Sequence, residues 1–287
     1  MSASVKSLLS TLTSRGPHHV LRGNLAIAGQ PGVVYTPETG KNLPAIAFAH
    51  GWLTGASRYR ELLEHLASWG FVVAAPDTER GPIPSHLDLA TDLLTTLDIC
   101  TGVRLGDGQI SVHPDRLVLA GHAMGAGTAV LAAAQRRVAA VAALHPAPTA
   151  PAAENVAGSI ETPALILAGA QDLDSVSSNA LPLATEWAGP QLLRTLDGAN
   201  HNGIVEGRRA LGAFGIGKYQ AKVARRTRAI LTGYLLHTVL DDKTYAAFAD
   251  PEAQVPHTTV VDPHAPREEE KKKSGLPIGA IAALLRR

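Results

Sequence analysis

Two carboxylates, a histidine and a glycine-flanked turn stand in this chain in an order that suits acyl transfer, with one atom of that chemistry missing. The stretch Gly121-His122-Ala123-Met124-Gly125 has the spacing of a nucleophile elbow, G-x-S-x-G, with alanine in the central place. Small residues are required two places to either side because the central residue sits in a strained strand-to-helix turn that leaves no room for side chains. An alanine methyl cannot attack a carbonyl, so no acyl-enzyme forms on Ala123. Further on, Asp172 and Asp174 follow an apolar run, and His201 lies in the tight loop Asp197-Gly198-Ala199-Asn200-His201-Asn202-Gly203. In a working site of this kind the histidine takes the nucleophile's proton and a buried carboxylate fixes the imidazole tautomer. Two backbone amides hold the oxyanion. The amides expected here belong to Met124, directly after the elbow residue, and to Trp52, in the loop after an apolar run that ends at His50.

Each of these groups follows the end of a short apolar run, which says what must position them. Runs at 44–50, 71–75, 116–120, 138–144, 164–169 and 192–196 read as buried strands. Between them lie helical patterns at 59–69, where Leu62, Leu63, Leu66 and Trp69 share a face, and at 88–99, 126–136 and 180–187. Strand, helix, strand repeated in this way predicts an α/β protein with a mostly parallel sheet and helices on both faces. Such sheets bind ligands beyond the carboxyl ends of their strands, where the loops after 50, 120, 169 and 196 carry the candidate residues. Pieces at 19–25, 26–28 and 33–35, punctuated by glycine and proline, read as outer antiparallel strands. His50 and His122 read as packing or local hydrogen-bonding residues, and either aspartate of the 172–174 pair could instead cap the next helix.

Composition bounds the rest. A chain of 287 residues that is 45% apolar can bury one large core, and 26 basic against 25 acidic side chains give a net charge of +1, which argues for no nucleic-acid partner. Cys100 is the only cysteine, so no intramolecular disulfide exists, and residues 1–17 lack the pattern of a secretory signal; both point to the cytoplasm. No early G-x-G-x-x-G and no ligand spacing suggests a cofactor or a metal. The expected division is an N-terminal extension at 1–17, an α/β domain at 18–255, and a linker and tail at 256–287. The tail is punctuated by Pro256, Pro263 and Pro266, and ends apolar with a basic tip. It falls short of the ~20 residues that span a bilayer. It is a candidate for contact with its own domain, a partner or a membrane surface.

Several separated blocks carry a family resemblance: Gly51-Trp52-Leu53-Thr54-Gly55, Gly70-Phe71-Val72-Val73 with Pro76-Asp77-Thr78, the elbow, Leu196-Asp197-Gly198-Ala199-Asn200-His201, and residues 241–251. Together they resemble the α/β-hydrolases of the cutinase-like polyester hydrolase and dienelactone-hydrolase type, over roughly residues 33–251. The resemblance implies the α/β-hydrolase fold and a Ser-His-Asp esterase, with Ala123 in the nucleophile position and His201 as base. It favours Asp174 as acid, because Ser175-Val176 follow it, with Asp172 as the alternative. The chain departs from the family where His145-Pro146-Ala147-Pro148 stands in place of a tryptophan clamp, where Asn202 replaces an aromatic, and where a C-terminal disulfide is lacking. These departures favour a small, neutral or aliphatic ester over an extended aromatic polyester, held between apolar walls at Trp52 and the segment from Pro146 to Pro148. Three readings follow: a hydrolase silenced by an engineered Ser-to-Ala change, a natural non-catalytic ligand-binding homologue, or a site working through the His201–carboxylate pair alone.

Overall fold

The structure is a computed structural model that describes residues 3–173, 175–207 and 218–266. In chain order it runs α1 (Val5–Leu12), β1 (Val20–Asn24), β2 (Gly32–Pro37), β3 (Gly40–Ala49), α2 (Arg60–Ser68), β4 (Val72–Pro76), α3 (His86–Gly102) and β5 (Ile110–His122). It continues with α4 (Met124–Ala133), β6 (Ala140–Leu144), α5 (Glu154–Ala157), β7 (Ala164–Gly169), α6 (Ala180–Glu186), β8 (Gln191–Leu196), α7 (Ala221–Leu240) and β9 (Thr258–Val260). Among the described residues nine strands form one sheet in the order β1-β2-β4-β3-β5-β6-β7-β8-β9. The block from β4 to β8 is parallel, whereas β1, β2 and β9 enter antiparallel at its two edges.

The central strands are apolar throughout because both faces are covered, and the two-residue period of a strand divides their side chains between two cores. In β3, Ala45, Ala47 and Ala49 face the side of α3 and α4, while Ile46 and Phe48 face the side of α1, α2 and α7. The same alternation places Leu117 and Leu119 of β5 in the first core, and Val118 and Ala120 in the second. After β3 the chain crosses to β4 on one side, then returns past β3 to β5 on the other. That reversal opens a crevice at the carboxyl ends of β3 and β5, beside Gly51 and Ala123.

Two stretches differ from the sequence expectation. Residues Leu25–Ala28 form a 3₁₀ turn, with the Asn24 side chain accepting the Ala26 N–H at 3.0 Å, so they are not a strand. Residues Thr258–Val260, inside the expected linker, add a ninth strand to β8. Its strap is tied down by Arg194 of β8, a guanidinium 1% exposed that donates to the carbonyls of Asp250 and Ala253 at 2.8 and 3.2 Å. At the other end of the chain, α1 buries Leu9 and Leu12 in the core shared with α2 and α7. The apolar tail at 275–287 lies outside the described residues, and no described helix is long and apolar enough to cross a membrane.

Candidate functional site

The turn from β5 into α4 has the geometry that its glycines predict. Ala123 sits at φ 53° and ψ −118°, a conformation that costs a non-glycine residue about 1–3 kcal/mol and persists only where the surroundings impose it. The surroundings do: the Ala123 N–H donates to the Leu144 carbonyl at 3.0 Å, and its own carbonyl accepts from Ala126 and Ala147 at 3.0 and 3.1 Å. A Cβ on Gly121 would run into the backbone carbonyl of Gly125, and one on Gly125 into the carbonyls of Ala49 and His50. Both positions are therefore closed to any side chain, which is why the elbow is legible as a spacing of glycines. Met124 opens α4, so its N–H is one of the helix-end donors without a partner inside the helix.

Ala123, Met124, Trp52, His201 and Asn202 line one cleft of 680 Å³ at the carboxyl end of the sheet. Its opposite wall consists of Pro82, Ile83, Pro84, Ser85, His86 and Leu87, with Ala147, Pro148 and Ala150 closing one side. One expected wall residue is corrected here: Pro146 is buried behind the cleft, with its carbonyl accepting the Asn179 N–H at 2.8 Å, and the wall is Ala147 with Pro148. Trp52 is 52% exposed, and its indole N–H donates to the Pro82 carbonyl at 3.1 Å, which ties the two walls together. His86 makes a second tie, its Nδ1 accepting the Ala150 N–H at 2.9 Å.

Behind the elbow lies a relay of buried polar groups that spacing alone does not reveal. The Gly51 N–H donates to the Tyr59 hydroxyl at 2.9 Å, Tyr59 donates to His122 Nδ1 at 2.8 Å, and His122 Nε2 donates to the His201 carbonyl at 2.8 Å. These partners assign His122 the Nε2–H tautomer and fix the backbone of the histidine loop to the elbow. The Gly51 N–H is thus engaged by Tyr59, and Trp52, the next residue in that loop, lines the cleft. His50 also has a local role, with its ring between the carbonyls of Gly51 and Thr78 at 2.9 and 2.7 Å. Tyr59 was missed because it falls in the helical apolar pattern at 59–69, where a tyrosine reads as core.

Of the two candidate carboxylates in the loop after β7, Asp172 is the one described. Asp172 Oδ2 lies 3.7 Å from Nδ1 of His145, which follows β6 at φ 46° and is 1% exposed. Asp174 lies outside the described residues. The rings of His122, His145 and His201 are mutual neighbours, with centroids 5.8–6.2 Å apart. Even so, among the described residues no group of three or more His, Cys, Asp or Glu side chains is arranged to hold a metal ion.

The exit of the histidine loop is held by charge. Arg228 of α7 donates to Glu61 of α2 at 2.6 Å and Tyr219 donates to the same oxygen at 2.8 Å, while Glu206 accepts the Glu61 N–H at 2.8 Å. The Arg228 hydrogen bond keeps Glu61 below the usual carboxylate range, whereas burial first, and the charge of Glu61 after it, push Glu206 up.

A parallel sheet flanked by antiparallel edges, a strained β5–α4 elbow, and acid and histidine loops following β7 and β8 define an α/β-hydrolase. Within that class residues 4–229 match the PETase family, described as PET hydrolase-like, and the chain belongs to it. No curated protein sequence matches the chain.

Proposed function

We propose that this chain is an ester-hydrolase scaffold whose acyl-transfer step is disabled at Ala123, and that its cleft binds a neutral or aliphatic ester without cutting it. The observation that carries this reading is the backbone of Ala123: it keeps the strained geometry that presents a nucleophile, though its methyl has no use for it. In the proposed assignment His201 is the base and Asp174 the acid, and the amides of Met124 and Trp52 receive the carbonyl oxygen. Trp52, Met124 and Pro148 supply apolar walls, so affinity should rise with the length of the acyl chain.

A change confined to one atom of chemistry is what an engineered Ser-to-Ala substitution would leave. The second reading, a natural ligand-binding homologue, draws on His145, an added buried imidazole that an inactivating substitution would not explain. Ala123→Ser separates the two. On the first reading the variant hydrolyses short p-nitrophenyl esters with kcat raised by about 10³-fold or more, the scale on which loss of a triad member acts. No gain over the Ala123 protein would sink the hydrolase reading and leave the binding one. Calorimetric titration of the unaltered chain with an ester series tests the pocket itself: tighter binding with each methylene supports it, and dependence on ligand charge alone refutes it.

A further inference from the structure

We infer that His50 positions the peptide between Gly51 and Trp52 as a doubly protonated imidazolium, holding the Gly51 carbonyl with one ring N–H and the Thr78 carbonyl with the other. The inference rests on the reading of the Trp52 amide as a donor to the ester carbonyl oxygen.

Both ring nitrogens of His50 face backbone carbonyl oxygens, Nδ1 that of Gly51 at 2.9 Å and Nε2 that of Thr78 at 2.7 Å. A carbonyl oxygen only accepts, so each contact is a hydrogen bond only when the nitrogen carries a proton. A neutral imidazole has one N–H. It would set the lone pair of its other nitrogen against an oxygen at hydrogen-bond distance, in a side chain that is fully buried. A second proton turns that repulsion into a charge-assisted hydrogen bond, and a buried charge is tolerated where its donors are all engaged. The surroundings favour the charge. On the Thr78 side the Thr78 hydroxyl donates to Asp92 of α3, Asp77 pairs with Arg80 at 2.8 Å, and Glu79 accepts the Ser85 N–H at 2.6 Å, a net negative set among the described residues. On the other side stand Tyr59 and His122, hydrogen-bonded to each other, and α4, which packs on the His50 carbonyl at Gly125, carries no titratable side chain.

The Gly51 carbonyl is the lever by which His50 acts. The bond from Gly51 to Trp52 is trans, and in a planar trans peptide the C=O and the following N–H point in opposite directions. Fixing the Gly51 carbonyl therefore fixes the direction of the Trp52 N–H. Thr54 adds its hydroxyl and its N–H, the latter at 3.2 Å, to the same carbonyl, and Tyr59 holds the Gly51 N–H. His50 differs from these anchors in two ways. It titrates, histidine being the side chain whose charge changes between about pH 5 and 8. It also ties this loop to the one after β4, which continues into the outer wall of the cleft at 82–87. Loss of one proton removes one of its two contacts, so a neutral ring holds either the Gly51 peptide or the outer-wall loop.

The first test reads protons and does not depend on turnover. Long-range 1H–15N spectra of the unaltered chain at pH 6 should show both nitrogens of His50 protonated; a single protonated nitrogen there would overturn the inference. As the pH is raised and His50 loses a proton, the backbone amide signal of Trp52 should move with the same midpoint, and a Trp52 amide that stays still through that titration refutes the positioning role. The second test reads the reaction. On an Ala123→Ser background, His50→Gln, which keeps a donor and loses the charge, should lower kcat for short p-nitrophenyl esters about 10²-fold, the scale of a lost oxyanion donor, with KM within about threefold. It should also abolish the alkaline fall in rate that titration of His50 produces. A lowered melting temperature with kcat unchanged would make His50 structural only. Should His50→Gln not fold, the spectra of the unaltered chain still decide. An inactive Ala123→Ser protein condemns the hydrolase reading alone, because the His50 and Trp52 signals are read without it.

Discussion

The two walls of the cleft are built on opposite physical principles. The elbow wall is backbone chemistry in a dry interior: Ala123 is 7% exposed, its turn is closed by hydrogen bonds to β6 and α4, and behind it Tyr59, His122 and His145 are buried. The outer wall, residues 82–87, is side-chain surface, with Ile83 at 93% and Leu87 at 48% exposure. It is moored at a few points, including Trp52 to Pro82 and the Ser85 N–H to Glu79 at 2.6 Å. The difference separates where a reaction would be aimed from where a ligand would be gripped. Both walls stand with alanine at position 123, because no packing on either depends on a hydroxyl there.

The comparison is broken most severely by filling the elbow. In Gly121→Ala the added methyl meets the Gly125 carbonyl, a backbone atom held between β3 and α4 that cannot turn aside. The expected cost is about 4 kcal/mol or more, in the range reserved for overpacking in a closed core, and the protein should fail to give a cooperative melt. A melting temperature within a few degrees of the unaltered chain would mean that the elbow is looser than its packing indicates.

A middle effect separates the site's histidines from an acid-sensitive one elsewhere. His65 on α2 is 4% exposed, and burial, with the charge of Arg228 adding to it, lowers its pKa from 6.5 to about 4. The sign follows from which state takes up the proton first. Between these values the unfolded chain binds a proton that the folded chain refuses, so stability is complete above pH 6.5 and falls as pH drops toward 4. The total loss is about 3 kcal/mol. Chemical denaturation at pH 7.5 and 4.5 should show this loss, and His65→Leu should flatten it. An undiminished loss in His65→Leu would show that His65 is not the source of the acid sensitivity.

Legibility followed how local the constraint is. The run at 164–169 coincides with β7, since a buried parallel strand is a continuous apolar run whatever lies around it. The elbow could be read because both glycines sit at a fixed spacing, although only Gly121 is forced locally, by the Gly125 carbonyl, whereas Gly125 is forced by Ala49 and His50 at the end of β3. The strand β9 could not, because three residues between prolines carry no alternation and acquire their role only by pairing with β8 across more than sixty positions of chain. The pairing of Asp172 was equally hidden. Asp172 follows β7 and His145 follows β6, so their approach depends on how these two strands lie side by side. His145 itself read only as a missing tryptophan clamp, although its structural position is behind the cleft.

The smallest expected effect sharpens the comparison most, because it should appear in binding and not in stability. Ile83 projects from the outer wall with almost its whole side chain in solvent, so Ile83→Ser removes no packing from the folded domain, and the melting temperature should stay within the change typical of a surface substitution, about 0.5 kcal/mol. A ligand seated in the cleft would cover part of that side chain. Losing some 40 Å² of apolar contact is worth about 1 kcal/mol, or roughly fivefold in Kd for an aliphatic ester bound to the Ala123 protein. Leu87→Ser should act in the same direction, whereas a polar change at Val176, which is 97% exposed but does not line the cleft, should leave affinity alone. If Ile83→Ser lowers the melting temperature by several degrees, the outer wall is part of the core and the contrast between the walls fails; if it leaves both stability and affinity unchanged, the ester rests on the elbow wall alone.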